Sequence, residues 1–204
     1  MKVRDTSLPG VRLVEPKVFG DERGLFFESW NQARWRDEHG LDFDVVQSNV
    51  SESTRGVLRG LHYQWPNPQG KLVAVLHGEV YDVAVDIRRD SPDFGRWTAA
   101  VLSAANRRML WIPEGFAHGF VVLSERAVFQ YLCTAEYSHA DDAGVRWNDA
   151  QLAIDWPDGA PSLSDKDARL PFLADIDPAR LPTVAAAGAA APSSTPSSPL
   201  AERS

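Results

Sequence analysis

The 204 residues, 44% of them hydrophobic and 24% charged, suffice for one folded domain and are too few for several large ones. A net charge of −7 without a basic stripe argues against a nucleic-acid binder but allows a positive pocket for a small anion. The N-terminus lacks the apolar core of a signal peptide, no apolar run reaches the ~20 residues of a membrane helix, and the single Cys133 cannot form an internal disulfide, so we expect a cytoplasmic protein without a membrane partner.

Short strand patterns dominate the chain, and turn residues separate them. A helix is predicted at residues 31–39, ended by Gly40, and a second helix begins near Ser164. The predicted strands cover residues 25–27, 44–47, 57–58, 71–76, 80–87, 99–102, 109–112, 119–123 and 127–133. Many short strands with few helices predict an all-β sandwich, jelly roll or barrel.

The composition changes near residue 185, after which the chain up to residue 199 is almost wholly Ala, Gly, Pro, Ser and Thr. Such a segment buries too little surface to offset the entropy lost on ordering. We therefore expect a single domain over residues 1–184 and a disordered Ala/Pro/Ser-rich tail over residues 185–204.

Residues 56–64 read GVLRGLHYQ, and Gln-Gly-Lys follows at residues 69–71. This unit combines His62, which can take a proton near neutral pH, with Arg59 and Lys71, which can hold negative charge. The combination suits removal of a proton from a carbon next to a carbonyl. The alternating residues 80–86 place Asp82 and Asp86 on one strand face, which either lines a cavity or faces water.

The segment PEGFAHGF at residues 113–120 resembles the second cupin motif, Pro-x-Gly-x-x-His, with His118 as its histidine. The first motif would fall on His62, Tyr63 and Gln64, with no glutamate following. Two histidines and an amide are a poor ligand set for a transition metal. We therefore predict a cupin-type jelly roll with a few short helices that uses acid–base chemistry and binds no metal.

Taken together, these segments resemble the dTDP-4-dehydrorhamnose 3,5-epimerase family. The matching runs extend in order from about residue 9 to about residue 173 and include residues 21–28, 47–49, 56–64, 69–73, 83–88, 91–95, 110–120, 146–149 and 163–167. The resemblance implies a homodimer without metal or redox cofactor. It also implies a dTDP-sugar substrate, dTDP-4-dehydro-6-deoxy-D-glucose, inverted at the two carbons that flank the C4 ketone.

The resemblance also implies catalytic roles. His62 would remove the proton, Lys71 would stabilise the enolate oxygen, and Tyr131 would deliver a proton to the opposite face of the sugar. Asp167 matches the family position that pairs with the catalytic histidine. Asp82 is a second candidate for that role, because its strand face could point into the barrel.

Further positions match substrate contacts in the family. The cations that would hold the diphosphate are Arg23, Arg59 and Lys166. The polar side chains that would contact the nucleotide or sugar are Glu28, Gln47, Asn49 and His118. Asp142 stands where the family often has a glutamate, so its shorter side chain puts that contact in doubt. The aromatic residues that could stack on thymine are Phe19, Phe26 and Tyr137.

Three alternatives stay open at this stage. The nearest is a relative that epimerises only C3 or only C5 of a natural-product deoxysugar. The others are a metal-dependent cupin enzyme and a non-catalytic module that binds nucleotide sugars.

Overall fold

The computed structural model describes residues 1–157 and 159–189. Its strands are β1 (Lys2–Asp5), β2 (Arg12–Glu15), β3 (Val18–Asp21), β4 (Gly24–Phe27), β5 (Gln47–Thr54), β6 (Leu58–Gln64), β7 (Lys71–His77), β8 (Glu79–Asp86), β9 (Trp97–Ser103), β10 (Met109–Ile112), β11 (Phe116–Val122), β12 (Arg126–Cys133) and β13 (Asp142–Gly144). The helices are α1 (Gln32–His39), α2 (Asp165–Ala168) and α3 (Val184–Ala189), with 3₁₀ turns at Leu173–Asp175 and Pro178–Arg180.

Two antiparallel sheets form the body of the fold. A six-stranded sheet has the order β1-β2-β10-β7-β12-β5, and a five-stranded sheet has the order β13-β6-β11-β8-β9. One cluster of buried side chains joins both sheets, with Val73 and Phe129 from the first and Val80 and Phe120 from the second. The predicted all-β, cupin-type jelly roll is confirmed. Strands β3 and β4 form a separate hairpin outside both sheets.

Both predicted helices are present, and their capping residues explain their limits. The Asn31 side chain accepts the Arg34 N–H at the start of α1, and Gly40 ends the helix at a φ of 66°. An aromatic cluster fixes this helix to the six-stranded sheet, since Trp35 contacts Phe43, which stacks on Trp111 with ring centroids 3.7 Å apart. Helix α2 begins after Ser164, as predicted.

The sequence prediction was wrong for several strands near the N-terminus. The strand predicted at residues 44–47 lies instead at Gln47–Thr54, and β1, β2 and β3 were not predicted. The reason is that β5 is polar along its whole length apart from Val50, so its hydrophobic pattern is absent. Strand pairing with β12 along the whole of β5 stabilises it instead.

The predicted start of the disordered tail also needs correction. Residues 184–189 form α3, where the Ala186 N–H donates to the Thr183 hydroxyl and the Val184 N–H donates to Asp90. Alanine has the highest helix propensity, and Ala187 is buried. Residues 190–204 lie outside the described residues.

The face of β8 that carries two acids is fully buried. Asp86 accepts hydrogen bonds from Arg88 and Ser91, whereas Asp82 accepts from His118. The alternative that this face points to water is therefore wrong. Across residues 1–157 and 159–189, no helix combines the length and the hydrophobicity that crossing a membrane requires.

Candidate active site

Two adjoining cavities lie between the opposing sheets. The outer one has a volume of about 260 Å³ and the inner one about 150 Å³. His62, Lys71 and Tyr131 line both cavities. His62 comes from β6 in the five-stranded sheet, whereas Tyr131 comes from β12 in the six-stranded sheet. The residues predicted to act as base and acid therefore enter the shared space from opposite walls.

His62 forms a short hydrogen bond with a buried carboxylate. Its Nε2 lies 2.5 Å from Oδ1 of Asp167, which is in the first turn of α2 and whose own N–H donates to the Ser164 hydroxyl. Burial alone would raise the pKa of Asp167, but the hydrogen bonds from His62 and Ser164 outweigh it and lower that pKa below its usual value. An ionised Asp167 is an acceptor for a hydrogen on Nε2, so Nδ1 is the ring nitrogen of His62 that is not engaged by this carboxylate.

Asp82 pairs with the other histidine of the site. His118 Nε2 lies 2.9 and 3.1 Å from the two carboxyl oxygens of Asp82. Burial raises the pKa of Asp82, and His118 and Lys71 partly oppose that effect. Of the two candidates for the partner of His62, the structure therefore brings Asp167 to it and not Asp82.

Strand β6 can carry His62 beside β11 only because two glycines face each other. Gly60 has a φ of 131°, and a Cβ there would lie 2.6 Å from Cα of Gly119 and 2.9 Å from the carbonyl oxygen of His118. Backbone atoms cannot yield as a flexible side chain can. The close approach sets the distance between the strands that carry His62 and His118, which are register partners.

We expect Gly60→Ala to lower the free energy of unfolding by about 2–4 kcal/mol, because it combines a steric clash with an unfavourable backbone conformation. Urea unfolding followed by circular dichroism measures this loss. Gly56→Ala is the matched control, since Gly56 has a φ of 76° but a Cβ there meets nothing within 4 Å. Equal losses for the two variants would contradict the argument from close packing.

Lys71 begins β7 and is half-buried at the junction of the two cavities. Burial lowers the pKa of its ammonium group, while Cys133, Asp142 and Asp82 act in the opposite direction. A buried ammonium group is poorly solvated, so it interacts strongly with negative charge that forms beside it.

Tyr131 is half-buried, and its hydroxyl stays protonated in neutral solution. Burial raises the pKa of this phenol, Cys133 raises it further, and Arg59 lowers it. The group can therefore donate a proton, as an acid in the site must.

The outer cavity is lined by several of the residues that were predicted to contact the nucleotide or sugar. Gln47 and Asn49 lie on the inward face of β5, and the Gln47 side chain accepts the backbone N–H of Tyr137 at 2.8 Å. The Tyr137 hydroxyl donates to Asp142 at 3.0 Å, and Asp142 forms an ion pair with Lys166. The shorter Asp142 thus lies in the cavity beside a residue predicted to hold the diphosphate.

The inner cavity is lined by His118, which was predicted to contact the sugar, by Arg59, which was predicted to hold the diphosphate, and by Ser51, which was not predicted. Arg59 donates to the Ser53 hydroxyl at 3.0 Å. Ser51 lines the same cavity, and its buried hydroxyl has no hydrogen-bond partner within the described residues. The signal was the alternation of β5, which places Ser51 on the same face as Gln47 and Asn49.

Four predicted residues do not reach either cavity within this chain. Arg23 is in the turn between β3 and β4, where its side chain is 84% exposed and pairs with Asp21. Glu28 is engaged by Asn31 and Arg34. Phe19 and Phe26, proposed to stack on thymine, are 53% and 70% exposed on the same hairpin. Tyr137 is the aromatic candidate that lines the outer cavity.

The two histidines of the cupin motifs each contact a carboxylate, His62 with Asp167 and His118 with Asp82. In the part of the chain that the structure describes, no three His, Cys, Asp or Glu side chains converge to form a possible metal site.

Comparisons with known proteins agree with this geometry. The family model for dTDP-4-dehydrorhamnose 3,5-epimerase matches residues 5–175. The chain is 53% identical over 178 residues to the dTDP-4-dehydrorhamnose 3,5-epimerase of Shigella flexneri, a match that covers 87% of this chain and 98% of that relative.

Two solved structures extend the comparison. The dTDP-6-deoxy-D-glucose-3,5-epimerase from Legionella pneumophila, in complex with dTDP-4-keto-L-rhamnose, is 50% identical with a TM-score of 0.87, covering 89% of this chain and 97% of that chain. A 3′-monoepimerase from Streptomyces bikiniensis, in complex with dTDP-quinovose, is 37% identical with a TM-score of 0.83, covering 88% of this chain and 92% of that chain. The cavity between the sheets and these matches lead to one conclusion: the chain belongs to the dTDP-4-dehydrorhamnose 3,5-epimerase family.

Proposed function

We propose that this protein converts dTDP-4-dehydro-6-deoxy-D-glucose into dTDP-4-dehydro-L-rhamnose, in the cytoplasm and without metal or redox cofactor. The observation that carries the proposal is that His62, paired with Asp167 of α2, and Tyr131 come from opposing sheets and line the same two cavities, together with Lys71. Family membership supports the choice of substrate.

The first step is removal of a proton from C3 or C5 of the sugar. Both carbons flank the C4 ketone, so loss of either proton places negative charge on the C4 oxygen. Nδ1 of His62 takes the proton, and the ionised Asp167 stabilises the imidazolium that forms.

The enolate oxygen is the group that most needs stabilisation, because imidazole is a weak base for a carbon acid. Lys71 supplies an ammonium group in a half-buried position, and His118, held by Asp82, lines the same inner cavity. A preorganised positive charge at the developing oxyanion typically contributes about 3–4 kcal/mol to lowering the barrier.

The second step delivers a proton to the opposite face of the same carbon. Tyr131 donates it and is then reprotonated by water, while the His62 imidazolium releases its proton to water. Because the departing and arriving protons differ, each inversion exchanges one carbon-bound hydrogen with solvent. Repetition at the second carbon completes the double epimerisation.

Exchange with heavy water tests this proposal directly. We expect turnover in deuterium oxide to place deuterium at both C3 and C5 of the product, as read by NMR and mass spectrometry. Label at only one carbon would identify a mono-epimerase instead, the activity that the name of the Streptomyces bikiniensis relative carries. If neither C3 nor C5 acquired deuterium, the proposed chemistry would be refuted.

We also infer that the protein is a homodimer in which the hairpin β3–β4 reaches the partner. The hairpin exposes Phe19, Leu25 and Phe26 beyond both sheets, and an apolar hairpin of this kind is typical of an interface. Arg23 is in its turn and reaches neither of the two cavities between the sheets of its own chain. Insertion into the partner would place Arg23 near the diphosphate.

Replacement of Phe26 by aspartate is therefore expected to produce monomers and to weaken binding of thymidine diphosphate about tenfold or more, since a charge-assisted contact is lost. Sedimentation analysis and calorimetry measure the two effects. Val101→Asp is the control, because Val101 is an exposed apolar residue on β9. A Phe26→Asp variant that stays dimeric and binds normally would exclude this role for the hairpin.

A further inference from the structure

A chain of two hydrogen bonds outside the cavities connects the backbone of Gly70, the residue before Lys71, to a carboxylate. The N–H of Gly70 donates to the Thr134 hydroxyl at 2.8 Å, and that hydroxyl donates to Oε1 of Glu114 at 2.5 Å. None of these three residues lines either cavity. The hydroxyl thus uses its single proton on Glu114 and accepts at its oxygen from Gly70.

The chain joins the strands that carry three of the proposed site residues. Gly70 directly precedes Lys71 at the start of β7, and Thr134 directly follows β12, which carries Tyr131. Glu114 is in the turn before β11, which carries His118. The carboxylate therefore lies at the meeting point of three strand ends.

Packing fixes this meeting point. A Cβ at Gly70 would lie 3.0 Å from Oε1 of Glu114 and 2.9 Å from the Trp111 ring, so the carboxylate lies directly against the Gly70 backbone. Further bonds hold the same two segments, since the Thr134 N–H donates to the Gly70 carbonyl and the Gln69 side chain donates to the carbonyl of Ala135. The start of β7 has little freedom to shift.

We propose that Thr134 and Glu114 are positioning residues for the epimerase reaction, and that they act by fixing the backbone from which Lys71 reaches the enolate oxygen. The inference rests on the proposed function. A hydrogen-bonded support of this kind matters most in the transition state, because the charge on the enolate oxygen is greatest there. Its loss should lower kcat more than it changes KM.

Thr134→Val preserves the shape of the side chain and removes both bonds. We expect kcat to fall about tenfold or more, since a small displacement of a catalytic group is costly, with KM within about twofold of the wild type. Thr134→Ser restores the hydroxyl and should return kcat to within about threefold of the wild type. Glu114→Ala, which leaves the Thr134–Gly70 bond intact, should show the same pattern to a smaller extent.

A double variant distinguishes positioning of Lys71 from a general effect on folding. If Thr134 acts through Lys71, Thr134→Val should lower kcat by no more than about twofold in a Lys71→Gln background. Equal fold-losses in both backgrounds would overturn the proposal, as would an unchanged kcat in a folded Thr134→Val protein. Should that variant fail to fold, Glu114→Ala decides: an unchanged kcat overturns the proposal, and a selective fall in kcat supports it.

Deuterium exchange by the wild-type protein tests the proposed function separately from this inference. If the wild-type protein exchanges neither the C3 nor the C5 hydrogen, the proposed function is refuted. If the wild type is active and the Thr134 and Glu114 variants have the same kcat and KM as the wild type, only the positioning role is refuted.

Discussion

Replacement of His62 by asparagine should lower kcat by about 10²–10⁴-fold, the range typical for loss of a general base. Asparagine keeps a polar group near the position of Nδ1 but is too short to make the contact of Nε2 with Asp167, and it cannot take a proton from carbon. Exchange of the C3 and C5 hydrogens with deuterium oxide should be lost together with turnover. Steady-state kinetics and NMR of the labelled sugar measure the two effects.

Binding and the opposite wall of the cavity provide the controls for this variant. Thymidine diphosphate should bind the His62→Asn protein within about twofold of the wild-type affinity, because the substitution leaves the predicted nucleotide contacts Gln47, Asn49 and Lys166 in place. Tyr131→Phe should differ from it by retaining some exchange, since His62 can still remove and return a proton on one face, while inversion is lost. Unchanged turnover in His62→Asn would refute the assignment of the base.

Replacement of Lys71 by glutamine is expected to lower kcat by about 10²–10³-fold, the loss found when one preorganised oxyanion donor is removed. The wild type should also lose activity at alkaline pH. Burial lowers the pKa of the Lys71 ammonium group, so it loses its proton, and with it the stabilising charge, at a lower pH than an exposed lysine would. The pH profile of kcat measures this basic limb.

The corresponding control is Lys166→Gln. Lys166 lines the outer cavity, where it pairs with Asp142, so its loss should raise KM and leave kcat nearly unchanged. The basic limb attributed to Lys71 should persist in Lys166→Gln and disappear in Lys71→Gln. A limb that survives removal of Lys71 would belong to another group.

Local signals in the sequence were sufficient for the elements that depend on local chemistry. Asn31 and Gly40 bound helix α1, and Ser164 begins α2, because capping residues act within one turn of the chain. The buried strands around His118 followed from their apolar runs. Strand β5 was misplaced because its stability comes from pairing with β12, a contact between distant parts of the chain.

The site itself depends on contacts that residue types alone do not fix. Asp167 is 105 residues from His62, and only the fold distinguishes it from Asp82 as the partner of that histidine. The resemblance to a family favoured Asp167 as the partner of His62, whereas the sequence spacing did not distinguish Asp167 from Asp82. Arg23 shows the opposite limit, because this chain does not bring it to either cavity between the sheets, and the role predicted for it depends on the proposed dimer.

The inner cavity rests on the apolar interior of the protein. The ring of Phe129 stacks near His118 with centroids 6.1 Å apart and packs against Phe120 at 4.2 Å, and both phenylalanines belong to the cluster that joins the two sheets. Substitutions that change the shape of the inner cavity should therefore also disturb the hydrophobic core and lower the stability of the fold. New substrate preferences within such a lineage should arise at the rim of the outer cavity, where Tyr137 is 55% exposed and lies outside that apolar cluster.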